Sequence, residues 1–193
     1  MRIIAGSLKG RRLKTPSWEG LRPTSDRLRE TLFNILAPRV AASRVLDGYA
    51  GTGAVGIEAL SRGAAHVVFV ERDARAARLI AENLARCGVE NGYAIIRADL
   101  ARATPPGGEG SFDLIVLDPP YADPQAGAML ARVGRWLAPG GLLVLEHARR
   151  RPVPPVAGPL AHTRTVASGD SALSFYEPTA PLPAGGETTP STR

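Results

Sequence analysis

Four carboxylates close four apolar runs in this sequence. Asp47 follows "RVL", Glu71 follows "HVVFV", Asp99 follows "YAIIRA" and Asp118 follows "FDLIVL". Short, almost wholly apolar runs of this kind read as strands of a parallel sheet covered on both faces. Ligands of such sheets sit at the carboxyl ends of the strands, so the first three acids, beside the glycine-rich loop that follows Asp47, are candidates for one shared site. After the first run lies "GTGAVG", Gly51 to Gly56, with the G-x-G-x-x-G spacing of a dinucleotide-binding loop. Its surroundings argue against that ligand. In a dinucleotide loop the first glycine follows the strand almost at once, which brings the helix N-terminus to the pyrophosphate. Here Asp47, Gly48, Tyr49 and Ala50 intervene. A carboxylate at Asp47 repels a pyrophosphate and suits a cationic ligand.

The pattern D-x-x-A-G-x-G over Asp47–Gly53 resembles motif I of class I S-adenosylmethionine (SAM) methyltransferases. SAM carries a sulfonium and an amino group, so a nearby carboxylate is in place. Gly51 and Gly53 let the backbone approach closely. Glu71 can accept both ribose hydroxyls, in NAD and SAM enzymes alike. Asp99 stands where SAM enzymes often hold the adenine amino group; it can also cap a helix before Leu100.

"DPPY", Asp118-Pro119-Pro120-Tyr121, follows the fourth apolar run directly. It resembles the (D/N/S)-P-P-(Y/F/W) signature of methyltransferases that act on amino groups attached to planar systems. The lone pair of such a nitrogen is delocalised into the ring, which makes it a poor nucleophile. The Asp118 carboxylate and the Pro119 carbonyl can both accept hydrogen bonds from the NH₂, favouring a more tetrahedral nitrogen aimed at the methyl donor. The prolines fix the backbone, and Tyr121 can stack on the base. A direct displacement needs no covalent enzyme intermediate. Cys87, in the middle of a helical pattern, reads as a core residue.

The elements that must position these groups follow from periodicity and punctuation. "RIIAGSLKGRRLKT", residues 2–15, reads as a short basic hairpin with turns at Gly6 and Gly10. "LRPTSDRLRETLFNIL" opens a helix marked by Pro23 and Thr24, with Asp26 at its positive end and Leu28, Leu32, Ile35 and Leu36 on its apolar face. From residue 44 strands and helices alternate. A helix ends at Gly63; another is capped by Asp73 and stopped by Gly88. A fourth helix is expected through Met129, Leu130, Val133 and Leu137, closed by Pro139-Gly140-Gly141, before the strand "LLVLEH". "LAHTRTVASGDSALSFYEP" reads as a β-hairpin around Ser168-Gly169-Asp170. The expected fold is α/β: a Rossmann-like, mostly parallel sheet with helices on both faces and a C-terminal antiparallel hairpin. Three segments are expected: a basic hairpin and helix over 1–40, a body over 41–177, and a disordered Pro/Gly/Thr-rich tail over 178–193.

The net charge of +6 is unevenly placed. Residues 1–44 carry ten Lys/Arg and three Asp/Glu, a net of +7, and the remainder is close to neutral. A basic arm beside a neutral body points to a polyanion, most simply nucleic acid. A single cysteine excludes an intramolecular disulfide and fits a reducing cytosol. Three scattered histidines and that cysteine offer no Cys/His metal set, so no metal is expected. No leader pattern and no membrane-length apolar run is visible, so a cytoplasmic protein with no membrane partner is expected.

Taken together, "RIIAGSLKGRRL", "LRPTSDRLRETLFNIL" and "LDGYAGTGAVGIEALSRGA" followed by "DPPY" resemble the RsmD family of 16S ribosomal RNA guanine-N2 methyltransferases, from Arg2 to about Tyr176. The resemblance implies SAM as cofactor and guanine 966 of 16S rRNA as target, in the small ribosomal subunit or its assembly intermediate; nothing in the sequence demands a dimer, and a monomer is expected. It implies that Asp47, Tyr49, Ala50, Gly51, Thr52, Gly53, Glu71, Arg72, Asp99 and Leu100 hold the cofactor. It implies that Asp118, Pro119, Pro120 and Tyr121 hold the guanine amine. Arg22, Arg27 and Arg29 in the family block, with Arg2, Lys9, Arg11 and Arg12 of the hairpin, are candidates for RNA contact. Two alternatives stay open: adenine-N6 methylation of DNA or RNA, and a non-catalytic ribosome-assembly factor that binds RNA.

Overall fold

Eight strands, β1 (Arg44–Gly48), β2 (His66–Val70), β3 (Tyr93–Ile96), β4 (Phe112–Leu117), β5 (Leu137–Ala148), β6 (Val156–Ala157), β7 (Leu160–Ser168) and β8 (Ser171–Pro178), form one sheet. Their order is β3-β2-β1-β4-β5-β8-β7-β6. These strands belong to a computed structural model that describes residues 1–16, 18, 26–119 and 126–179. The pairs β3–β2, β2–β1, β1–β4 and β4–β5 are parallel, and β5–β8, β8–β7 and β7–β6 are antiparallel. The mostly parallel α/β sheet with a C-terminal hairpin is therefore as expected. Strand order reverses between β1 and β4, the switch point at which such sheets open a crevice.

Alternating strand residues feed two cores. Val45, Val67, Phe69, Leu114, Val116 and Val144 face α1 (Asp26–Val40), α2 (Ala54–Ser61) and α3 (Ala74–Arg86). Leu46, Val68, Ile115, Leu117, Leu143 and Leu145 face α4 (Ala126–Gly134) and the chain after β3. Burial on both faces explains why these strands carry no polar alternation. Ile3 and Leu13 of the N-terminal segment join the first of these cores.

That segment is a hairpin-like loop with one antiparallel bridge, Arg2↔Arg12. Ile3 N–H donates to Arg11 O at 3.0 Å and Gly10 N–H to Ile3 O at 2.9 Å. Gly6 has φ +84°, and a Cβ there would lie 1.8 Å from the Ser61 carbonyl oxygen, so only glycine fits. The loop is docked by Glu58 of α2, a carboxylate with 0% exposure. It accepts from Ile4 N–H at 2.8 Å and Ala5 N–H at 3.0 Å, and Arg62 Nε lies 2.8 Å away.

Arg29 corrects an expectation. The family block makes it a candidate for RNA contact, but it is 0% exposed and has no surface to offer a phosphate. Its Nη2 donates to Arg2 O at 2.6 Å and to Asp26 at 3.0 Å, and its Nε lies 3.9 Å from Glu58. Burial lowers its pKa, opposed by Asp26 and Glu58. A second correction concerns α4. The helix ends at Gly134, and Leu137 through Gly141 open β5 instead. Trp136 O accepts from Ser111 and Phe112 N–H, both at 2.9 Å, which draws the chain into the sheet. The register shift between Phe112↔Leu137 and Leu114↔Leu142 absorbs Pro139-Gly140-Gly141 as a bulge. Pro178 closes β8, and the tail from residue 180 onward lies outside the described residues.

Removal of the Glu58 carboxylate leaves two backbone N–H groups and the half-buried Arg62 guanidinium without their acceptor, and removes the opposite charge that lies 3.9 Å from the buried Arg29. Glu58→Ala is therefore expected to lower the unfolding free energy by about 3–5 kcal/mol. A urea titration of wild type and variant measures this; a loss below about 0.5 kcal/mol, the range of an ordinary surface substitution, would remove Glu58 from its place as the docking group.

Candidate functional site

The carboxyl ends of β1, β2, β4 and β5 and the chain after β3 border one cavity of about 640 Å³. Asp47, Glu71 and Asp99 line it, as the strand-end pattern anticipates, and Asp118 of the "DPPY" motif lines it with them. The β7–β8 turn, Ser168 to Ser171, lines it from the far side, and Leu28 and Leu32 of α1 line another wall.

The glycine loop is shaped by its acids. Asp47 is 3% exposed, and its Oδ2 accepts from Gly56 N–H in the first turn of α2 at 2.8 Å. Burial, with the negative charges of Asp118 and Glu71 adding to it and the Gly56 bond opposing, pushes its carboxyl up from 3.8 to about 8. Tyr49, Gly51 and Gly53 have φ of 61°, 55° and 76°. A left-handed tyrosine is held by its context rather than by preference. Ala50 N–H donates to Val70 O at 3.1 Å. Glu71 Oε2 accepts from Gly51 N–H at 2.9 Å and its Oε1 from Asp73 N–H at 2.8 Å. Each carboxylate oxygen keeps a lone pair for a further donor.

Asp73 caps α3 by accepting from Arg75 and Ala76 N–H at 2.7 and 3.2 Å. Asp99 Oδ1 accepts from Ala101 N–H at 2.9 Å, and Leu100 is buried beneath it, so Asp99 makes a local turn bond while bordering the cavity. Tyr49, Ala50, Gly51, Thr52 and Arg72 also line the cavity. At the end of β4, Asp118 N–H donates to Gly48 O at 3.4 Å, tying the acid to the β1 turn, and Pro119 stands beside it on the wall. Pro120 and Tyr121 lie outside the described residues, as does Arg22.

Three groups that the motifs do not mark belong to this site. Glu146, 7% exposed, lines the cavity one step beyond Leu145, which pairs with Leu117, so it flanks Asp118 across neighbouring strands. It ends an apolar run, "LLVLE", like the other four acids, and that signal identifies it. Asn83 is fully buried; its amide donates to Thr52 O at 3.0 Å and to Lys14 O at 3.1 Å, joining the glycine loop to the N-terminal segment. Trp18 lines the mouth, with the Arg75 guanidinium 5.0 Å above its ring.

The chemistry of the lining is one-sided. Asp73 and Asp170 join the five strand-end acids around the cavity, and its arginines, Arg27, Arg72 and Arg75, are exposed side chains. A polyphosphate would set like charges together around Asp47. A compact ligand bearing positive charge and hydroxyls matches the set, and SAM has that composition. Arg2, Lys9, Arg11, Arg12 and Arg27 are exposed on the N-terminal segment and α1.

Comparison with known proteins places the chain. The family model described as "Conserved hypothetical protein 95" matches residues 1–177. Ribosomal RNA small subunit methyltransferase D of Haemophilus influenzae is 40% identical over 158 residues, covering 79% of this chain and 81% of that protein. The structure of a hypothetical protein from Thermus thermophilus superposes with TM-score 0.75 at 34% identity, over 91% of this chain and 98% of that one. An RNA methyltransferase from Salinibacter ruber in complex with S-adenosyl-L-homocysteine shares the fold, with TM-score 0.64 at 18% identity over 84% and 97% of the two chains. With the family model spanning every described strand but the end of β8, and a relative this similar over four-fifths of its length, the chain belongs to the RsmD family.

Proposed function

We propose that this chain is a SAM-dependent methyltransferase that modifies the exocyclic N2 of a guanine in 16S rRNA, guanine 966, on the small ribosomal subunit or its assembly intermediate. The observation that carries the reading is the position of Asp118 and Pro119 at the end of β4, in the lining of a cavity that the buried Asp47 carboxyl also lines. The name of the Haemophilus relative supports the RNA substrate.

SAM, when bound, supplies an electrophilic methyl group on a sulfonium. The residues suited to hold it are Asp47, the turn from Tyr49 to Gly53, Glu71, Arg72, Asp99 and Leu100. Asp47 offers its charge to the cationic end, and Glu71 offers lone pairs to vicinal hydroxyls while its other lone pairs keep the loop in shape. Asp118 and the Pro119 carbonyl accept the two amine hydrogens of guanine. That draws the nitrogen lone pair out of conjugation and favours the positive charge that develops on nitrogen. Pro120 and Tyr121 complete the motif by resemblance, Tyr121 as a stacking platform. Residues 1–40 serve as the RNA-facing arm on a catalytic body over 41–177, through Arg2, Lys9, Arg11, Arg12, Arg22 and Arg27 rather than Arg29. The enzyme works as a monomer in the cytoplasm, and no helix among the described residues is long and apolar enough to cross a membrane.

Labelled-methyl transfer to small subunits from cells lacking the enzyme, followed by nucleoside analysis, tests the whole assignment. N2-methylguanosine is the expected product; N6-methyladenine would replace the base assignment, and no transfer would favour a non-catalytic factor. Asp118→Ala is expected to abolish transfer while SAM affinity by calorimetry stays within a few-fold; equal loss of both would move Asp118 from the amine to the cofactor.

The raised Asp47 carboxyl predicts a pH signature. Its folded-state value lies above its ordinary one, so its contribution to stability is complete below about pH 4 and is lost as pH rises through about 8. A cation beside it reverses that preference. SAM affinity is therefore expected to climb from about pH 6 to about pH 8, by at most about tenfold per unit, and to level off above that range. Asp47→Asn keeps an acceptor for Gly56 and removes the charge, and it is expected to flatten the profile. A wild-type profile already flat across this range would show that Asp47 does not meet the cation.

A further inference from the structure

The antiparallel end of the sheet carries basic groups that neither the glycine loop nor the "DPPY" segment uses. β5 stops at Ala148, and "RRR", Arg149 to Arg151, follows at once. This turn is fixed on both sides: Arg151 N–H donates to Ala148 O at 2.9 Å, and Arg149 N–H donates to Asp170 O at 2.8 Å. Asp170 lies in the β7–β8 turn whose residues Ser168 to Ser171 line the cavity. The arginines are therefore held at the same sheet edge as the cavity mouth. Arg149 and Arg150 are exposed, and neither side chain has an ion-pair partner among the described residues.

Their position is complementary to the basic groups across the opening. Arg72 follows β2, and Arg149 follows β5, three strand steps away, about 14 Å at the usual interstrand spacing. Arg75, at the start of α3, shares the Arg72 side. The acidic cavity thus lies between two cationic margins. A nucleotide presented to such a cavity has phosphates on both its 5′ and 3′ sides, and a margin on each side can take one. Phosphate contacts of this kind set register and orientation and carry no sequence information.

We propose that Arg149 and Arg150, held against the β7–β8 turn, form a second phosphate-binding edge that grips the RNA backbone across the cavity from the N-terminal arm. This rests on the RNA reading given above. Neither arginine lines the cavity, so cofactor binding does not depend on them.

The test is the salt dependence of binding to small ribosomal subunits from cells lacking the enzyme. Affinity is measured by fluorescence anisotropy across roughly 50–300 mM salt for wild type, Arg149→Gln/Arg150→Gln, and the control Arg78→Gln/Arg86→Gln, whose sites are exposed on α3. Two lost phosphate contacts reduce the log–log slope by about 1.4–1.8. That reduction is expected for the first double variant and absent from the control. In methyl transfer the same variant is expected to raise KM for RNA and leave kcat unchanged. A slope equal to that of wild type, or an equal reduction in the control, overturns the second edge. A wild-type chain with no salt-dependent binding to the subunit overturns the RNA reading itself, so the two failures are distinguishable.

Discussion

One buried carboxylate sets the geometry from which the site is built. Glu58 sits in the first full turns of α2, away from water, and holds Ile4, Ala5 and Arg62 while lying near Arg29 of α1. Three elements of different sequence origin meet there: the N-terminal loop, α1 and α2. An isolated buried charge is expensive, and it is tolerated here because donors surround it on several sides. The consequence reaches the cavity. α1 supplies Leu28 and Leu32 to its wall and Arg27 to its mouth, and α2 begins at the glycine loop. The angle at which α1 crosses the sheet is therefore a property of the site as well as of the core.

Within the cavity the acids divide their labour by how many of their lone pairs the backbone has already used. Glu71 shapes the loop with both oxygens and remains available for additional donors. Asp47 spends one oxygen on Gly56 and has little water, so its proton is held tightly. On the reading proposed above, two carboxyls of like type, one strand apart, thereby meet different parts of the ligand: hydroxyl donors at Glu71 and positive charge at Asp47. That difference discriminates SAM from a dinucleotide more sharply than the glycine spacing, which the two ligand classes share.

Much of this was legible in the residue pattern because parallel strands end in register at one edge. Any acid that closes an apolar run is delivered there, which is how Asp47, Glu71, Asp99 and Asp118 come to share a cavity, and Glu146 obeys the same rule. Arg29 misleads because its chemistry suggests a surface, although Arg29, Phe33, Leu36 and Val40 follow a helical stripe and all four are buried. Leu137 misleads in the opposite way. It keeps helical spacing after Val133, but Gly134 packs so tightly on Leu160 that a Cβ would lie 2.6 Å from that side chain, and sheet pairing then captures the chain. Glu58 and Asn83 were illegible for a different reason. Their partners in the N-terminal segment lie 53 to 69 residues away along the chain, and no local period encodes a contact of that range.

Those long-range contacts matter for how charge is distributed. Seven acids among the described residues line the cavity, while residues 1–44 carry a net charge of +7, so the cavity and the N-terminal segment favour ligands of opposite charge in adjacent places. The separation holds only while the basic segment is pinned outside, against the face of α2 and α3. Asn83 does the pinning at the far end, accepting from Lys14 N–H at 2.7 Å and donating to the carbonyls of Lys14 and Thr52. One side-chain amide thus bonds both the glycine loop and the strand of chain that carries the basic residues. The N-terminal segment and the glycine loop are therefore held to one another through a single buried side chain.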